Sequence, residues 1–221
     1  MFGEISGRYV LMNRIITLGR DSSWRRRLVD AAALPRGGVV LDVGSGTGDI
    51  LLAALRRDST MSAIALDFST DMVAVGRRRK GGRHVFWCCG NAGDLPFPDA
   101  AFDRVVSGYL LRNVEDVRRA LREQIRVVKP GGRVVALDTS PPPRGFFRPA
   151  VLFYSRFVIP LLGRVIARNR AAYEYLPAST QAFLRPEALA RIMEEVGLRD
   201  VRFHRFMMGT QVLLVGDRSL E

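Results

Sequence analysis

Three glycines alternate through Gly44-Ser45-Gly46-Thr47-Gly48, with Asp42 two residues before them and Asp49 directly after. Glycine at every second position lets a chain turn tightly and bring bare backbone N–H groups against a ligand. A dinucleotide-binding loop reads G-x-G-x-x-G; here Asp49 stands where its last glycine would be. Asp67 closes the next apolar run. A carboxylate at that place can accept hydrogen bonds from both ribose hydroxyls of an adenosine. Loop and acid together predict a nucleotide-type cofactor site, which a plain strand-to-helix turn does not require.

Other residues with chemistry follow. Arg112 and Asn113 come just after an apolar run at 102–107. A guanidinium there suits the stabilisation of developing negative charge, because its pKa above 12 makes it a poor base. The competing role for Arg112 is an ion pair with Glu115 or Asp116. Asn113 precedes a helical pattern and is expected to cap it. His84 and His204, the only histidines, are far apart; both are read as structural residues of strands, and no metal constellation is legible. Cys88 and Cys89 are neighbours. In a strand they point to opposite faces, so no disulfide is expected, and both are read as small residues of a buried strand in a reducing compartment.

The elements that must position these groups alternate. Apolar residues at helical spacing mark 9–18 and 23–33, then a short run at 38–43 reads as a strand leading into the glycine loop. Further strands are expected at 63–67, 84–89, 102–107 and 133–138, with helices at 50–57, 70–80 and 115–128 between them. Strand and helix in alternation argue for a parallel sheet with helices on both faces. From 139 to 185 the alternation stops. That stretch exceeds an ordinary connection and is expected to be a lid with its own helices. Pro186 suits the first turn of a helix over 186–196. Strands at 201–206 and 211–215, joined by Met208-Gly209, should pair antiparallel. A single domain over 1–221 is expected, with N-terminal helices in 1–34.

The chain carries 34 Lys and Arg against 22 Asp and Glu, a net charge of +12. Such a surface is drawn to nucleic acid or to anionic lipid, although each arginine cluster alone reads as a solvated helix face. No apolar run reaches the roughly 18–20 residues of a spanning helix, and residues 1–8 lack a signal-type stretch, so a cytoplasmic chain is expected.

Longer segments carry a resemblance. Residues 107–113 read Ser-Gly-Tyr-Leu-Leu-Arg-Asn, residues 126–133 Arg-Val-Val-Lys-Pro-Gly-Gly-Arg, and residues 173–180 Tyr-Glu-Tyr-Leu-Pro-Ala-Ser-Thr. Ile5-Ser6-Gly7-Arg8-Tyr9 stands near the start, and Gly90-Asn91-Ala92-Gly93-Asp94-Leu95-Pro96-Phe97 follows the third strand. With the glycine loop, these make the chain resemble the class I S-adenosylmethionine-dependent methyltransferases, and within them the ubiquinone/menaquinone biosynthesis C-methyltransferases of the demethylmenaquinone methyltransferase type. Val10 departs from that pattern, where an aspartate is usual, and the final strand lacks a histidine often found there.

The resemblance implies a Rossmann-like, doubly wound, mostly parallel seven-stranded sheet with an antiparallel last strand and a helical lid insertion. It implies S-adenosyl-L-methionine as cofactor, held by Asp42, Gly44, Gly46, Thr47, Asp67, Asn91, Ala92 and Ser107. It implies C-methylation of a polyprenyl quinol, demethylmenaquinol first and a methoxybenzoquinol second, with Arg112, Asn113 and Tyr173 at the reacting ring. Peripheral contact with an anionic membrane fits an isoprenoid substrate and the aromatic residues of the lid; a homodimer is left open. The rivals are a small-molecule O-methyltransferase, a cofactor- or quinone-binding protein without activity, and a nucleic-acid methyltransferase. Against the last, residues 107–110 lack the Asn/Asp-Pro-Pro-aromatic segment used on base amines, and no nucleic-acid partner is expected.

Overall fold

The computed structural model describes residues 19, 21–143, 145–146, 148–158 and 179–220. The helix expected at 9–18, and Tyr173 and Tyr175, lie outside the described residues. Strands β1 (Val39–Val43), β2 (Ser62–Asp67), β3 (Val85–Cys89), β4 (Phe102–Gly108), β5 (Val128–Thr139), β6 (Leu198–Phe206) and β7 (Gln211–Arg218) form one sheet. Its order is β3-β2-β1-β4-β5-β7-β6. Strands β1 to β5 run parallel, and β7 is antiparallel to both β5 and β6. The seven-stranded, mostly parallel sheet with a reversed last strand is as expected.

Alternation within each strand builds two cores. Val40 packs with the buried side chains of α1 (Asp21–Ala32) and α2 (Asp49–Leu55), together with Val73 of α3 (Thr70–Arg78). Leu41 and Val43 face the opposite way, against α4 (Val117–Val127) and α5 (Pro186–Glu195). A further short helix covers Arg148–Phe153 and continues as a π turn over Tyr154–Val158. The chain enters at β1, winds outward to β3 and returns to β4 on the other side of β1. The carboxyl ends of β1 and β4 therefore flank the reversal point, where ligands of open sheets bind.

Several expectations are corrected. Asp116, not Asn113, caps α4, accepting from Arg119 N at 3.0 Å. A 3-10 turn at Leu111–Asn113 intervenes, and the helix begins later than 115. His84 lies in another 3-10 turn, Gly82–His84, rather than in a strand. Strand β3 is the sheet's edge, so Cys89 is exposed and Phe86 is 71% exposed. Strand β5 starts at Val128, and its pairing with β4 jumps from Phe102↔Val128 to Arg104↔Arg133, which accommodates the Pro130-Gly131-Gly132 turn.

Much of the positive charge is used inside the fold. Arg104 Nε and Arg133 Nη1 donate to the last carbonyls of α1, Ala32 O at 2.7 Å and Ala31 O at 3.0 Å. Arg218 Nη1 does the same for α4, reaching Ile125 O, Arg126 O and Val128 O at 2.8, 3.0 and 2.6 Å. Arg126 holds the 95–99 loop through Leu95 O, Phe97 O and Asp99. Cations at helix carboxyl ends satisfy orphan carbonyls and oppose the macrodipole. Among the described residues, no helix is long and apolar enough to cross a membrane.

Candidate active site

The glycine loop leaves the end of β1 and is pinned to β2. Gly44 N and Ser45 N both donate to Leu66 O, at 2.8 and 3.0 Å, and Gly46 N donates to Asp67 Oδ2 at 2.7 Å. Gly46 and Gly48 have φ of +55° and +80°, a left-handed backbone that a Cβ disfavours. Their surroundings differ. A Cβ on Gly48 would lie 2.5 Å from the Trp87 ring, whereas one on Gly46 would meet nothing within 4 Å. Gly48 thus serves packing of α2 on β3, and Gly46 presents open backbone at the reversal point.

Thr47 is buried and turned inward. Its hydroxyl and carbonyl accept from Arg79 Nη1 at 2.8 and 3.0 Å. The same Arg79 nitrogen lies 2.7 Å from Asp49, which Arg25 approaches at 3.0 Å from the other side. Arg79 thus fastens the loop from behind through Thr47. Arg79 also borders a hollow of about 520 Å³ lined by Arg77, Lys80 and Arg83, which contains none of the candidate catalytic residues.

Asp42 is fully buried, and neither of its carboxylate oxygens has a hydrogen-bond partner among the described residues. Burial pushes its pKa well above the usual carboxylate range; the charges of Asp67 and Asp49 push the same way, and Arg25 opposes them. A buried acid of this kind is relieved by a positive ligand. Ser45 Oγ and Ser107 Oγ, buried at the ends of β1 and β4, are likewise without partners. These orphan acceptors, beside the open backbone at Gly46, fit the ammonium and sulfonium of a methionine-type cofactor.

Asp67 stands half-buried at the end of β2. Besides Gly46 N, it accepts from Ser69 N at 2.8 Å through Oδ1. Each oxygen keeps capacity for a ribose hydroxyl. Phe68 follows and is 82% exposed. An aromatic face held beside the ribose acceptor can stack on a flat base. Asn91 is exposed; its Oδ1 accepts from Gly93 N at 2.9 Å and shapes the turn, while Ala92 is buried against Leu66 and Leu95. Phe68 was missed in the sequence, although a bulky apolar residue between an acid and a helix cap was its visible signal.

On the β4 side the chain turns through Tyr109, whose φ of +60° is uncommon for a non-glycine residue. Leu110 packs on Gly44, its Cδ1 2.8 Å from where a Cβ would stand, so this segment adjoins the glycine loop. Arg112 comes next. Its side chain is 7% exposed and pairs with Asp138, Nη1 to Oδ1 at 3.0 Å. Glu115 and Asp116, the partners of the competing reading, do not pair with it among the described residues. Its guanidinium lies over the Tyr109 ring, 5.0 Å from the centroid, and its Nε is buried with no hydrogen-bond partner among the described residues. Asn113 Nδ2 donates to Tyr109 O at 2.7 Å and braces the turn. Asp138 and Tyr109 were also missed. An acid ending the apolar run Val134–Leu137 was the available signal for the first, as at Asp42 and Asp67.

Fold and site define a class I methyltransferase, the class that draws its methyl group from S-adenosyl-L-methionine. Similar folds include a putative methyltransferase bound to the Trm112 activator of Haloferax volcanii, with TM-score 0.71, 17% identity, and 99% and 97% of the two chains covered. Phosphoethanolamine N-methyltransferase 2 of Haemonchus contortus, solved with S-adenosyl-L-methionine, has TM-score 0.67 and 14% identity over 89% of this chain and 52% of that one. Residues 1–217 match the ubiE/COQ5 methyltransferase family, to which the chain belongs. Relatives include the ubiquinone/menaquinone biosynthesis C-methyltransferase UbiE of Desulfotalea psychrophila, 46% identical over 95% of this chain and 85% of that protein. The demethylmenaquinone methyltransferase of Thermus thermophilus is 41% identical over 99% of this chain and the whole of that protein.

Proposed function

We propose that this chain methylates a ring carbon of demethylmenaquinol, completing menaquinol. The observation that carries the reading is the 41% identity to the Thermus demethylmenaquinone methyltransferase along the full length of both chains. A benzoquinol acceptor is the second reading, favoured by the Desulfotalea relative, whose name covers both quinones.

When bound, S-adenosyl-L-methionine supplies a methyl group made electrophilic by its sulfonium. Asp42, Ser45 and the Gly46 backbone hold the methionine end, Asp67 the ribose, and Phe68 with Asn91 and Ala92 the base. Ser107 closes the crevice from β4. A ring carbon is a weak nucleophile until a neighbouring hydroxyl carries negative charge. Arg112 meets that charge through its unpartnered Nε, a donor already in place and shielded from water. The guanidinium stays protonated throughout, so the ring proton leaves to water or to a lid residue. Asn113 keeps the Tyr109–Arg112 turn in shape. Neutralisation of phenolate and sulfonium favours a dry cleft.

The lid supports a membrane-borne substrate. Phe146, Phe153 and Phe157 are 92%, 61% and 58% exposed, next to exposed Arg148 and Arg156. A hollow of about 270 Å³ between Pro141, Leu152, Phe183, Arg148 and Arg185 combines apolar walls with two cations. Aromatic side chains with flanking arginines suit contact with anionic lipid head groups.

The test is incubation with S-adenosyl-L-methionine and either reduced demethylmenaquinone or its benzoquinol counterpart, followed by mass spectrometry. A ring-methylated product with equimolar S-adenosylhomocysteine is expected. Absence of product from both quinols would overturn the assignment.

A further inference from the structure

The inference rests on the role given to Arg112 above. We propose that Asp138 is a positioning residue for the methyl acceptor's half of the site: it fixes the Arg112 guanidinium and, through Thr139 and Thr180, ties it to both ends of the lid insertion.

Asp138 lies near the carboxyl end of β5, 1% exposed, opposite Val212 of β7. Packing alone would be served there by an apolar residue, since a buried carboxylate carries a desolvation cost and is retained only with partners. Its partners are those of one residue and its own neighbour. Oδ1 takes Arg112 Nη1 at 3.0 Å and Thr139 N at 2.7 Å, and Oδ2 takes the Arg112 backbone N at 3.3 Å. Holding a side chain by its tip and its backbone at once removes most of its torsional freedom. The Tyr109 ring closes the third side. With Nη1 shared between Asp138 and Thr139, Nε stays buried without a partner among the described residues, and it is the donor assigned to the substrate oxygen.

The contacts extend to the lid. Arg112 Nη1 also donates to Thr139 Oγ1 at 3.3 Å, and Thr180 Oγ1 donates to the same oxygen at 3.1 Å. Thr139 opens the 139–185 insertion, and Thr180 lies near its return. The two ends of the lid thus meet on one hydroxyl that touches the guanidinium. The pairs are 26 and 41 residues apart, so no local motif produces them.

The test uses the full chain with Asp138→Asn, Thr180→Val and the double variant. Asp138→Asn is expected to lower kcat for the quinol 10- to 100-fold, leave KM within about threefold, and leave calorimetric affinity for S-adenosylhomocysteine within twofold. Thr180→Val is expected to lower kcat about threefold in the wild-type background and not at all in Asp138→Asn, because it acts through the same guanidinium. Wild-type kcat in Asp138→Asn, a loss of cofactor affinity equal to the loss of kcat, or full additivity of the two changes would each overturn the proposal. If Asp138→Asn does not fold, Thr139→Val removes the shared acceptor while keeping the ion pair. A several-fold fall in kcat is then expected, and an unchanged kcat overturns the proposal. An activity-free readout separates this inference from the assignment of substrate. In nitrogen NMR the Arg112 guanidinium should show hindered rotation in the wild type, free rotation in Asp138→Asn, and a smaller gain of rotation in Thr139→Val, which keeps the ion pair. Identical spectra would refute the positioning role even if the quinol were methylated, and a difference would support it even if no quinol were a substrate.

Discussion

Replacing Gly46 by alanine separates what the glycine loop does for the fold from what it does for the cofactor. The backbone at Gly46 has φ +55°, and an added Cβ meets no atom within 4 Å. The change therefore costs only the left-handed strain, about 1–2 kcal/mol, partly offset by about 0.4–1 kcal/mol from a stiffer unfolded chain. A net loss near 1 kcal/mol lowers Tm by roughly 2–4 °C in a chain of this size. The methyl group nevertheless occupies the space over the loop where the methionine end is to lie. Overfilling a packed contact costs about 1–3 kcal/mol, which raises the Kd roughly 5- to 150-fold. Gly48→Ala is the control. Its Cβ would stand 2.5 Å from the Trp87 ring at φ +80°, so strain and overlap together should cost about 2–5 kcal/mol of stability. Calorimetric titration with S-adenosylhomocysteine and thermal melts of both variants give the comparison. A Gly46→Ala protein that binds with wild-type affinity would refute the placement of the cofactor over this backbone. One that melts as low as Gly48→Ala would refute the difference in packing.

Asp42→Asn should stabilise the protein in the absence of cofactor, and more so at high pH. Burial raises the Asp42 pKa in the folded state, so its favourable contribution is complete below the unfolded pKa and is lost as pH rises through the folded value. The Tm advantage of the variant should therefore grow from pH 4.5 to pH 8, while affinity for the sulfonium falls; a pH-independent difference would contradict the electrostatic account. Asp67→Ala removes the acceptor for Gly46 N and Ser69 N. Hydrogen bonds to a charged group are worth about 1.5–3 kcal/mol each, so at least a tenfold loss of cofactor affinity is expected with a clear drop in Tm, and an unchanged titration would remove Asp67 from the site.

Local pattern carried most of the architecture. The apolar alternation that marks β1 to β5, the glycines at 44, 46 and 48, and the acid at 67 are all readable because strand and helix periods dictate which residues share a face over a few turns. Short-range choices between equivalent residues were less legible. Asn113 and Asp116 are both good helix caps, and only the intervening 3-10 turn gives the role to Asp116. Cys88 and Cys89 read as buried because periodicity does not reveal whether a strand is central or, like β3, at the edge.

By itself, then, the sequence determined the kinds of element, their order, and the glycine loop that leaves β1. Only the tertiary structure decided that Arg112 pairs with Asp138, that Thr139 meets Thr180, and that Arg79 fastens Thr47 from behind. The physical reason is that side-chain period chooses a face but not a neighbour. Neighbours follow from the strand order β1-β4-β5-β7, which is set by the burial of the whole sheet rather than by any one segment.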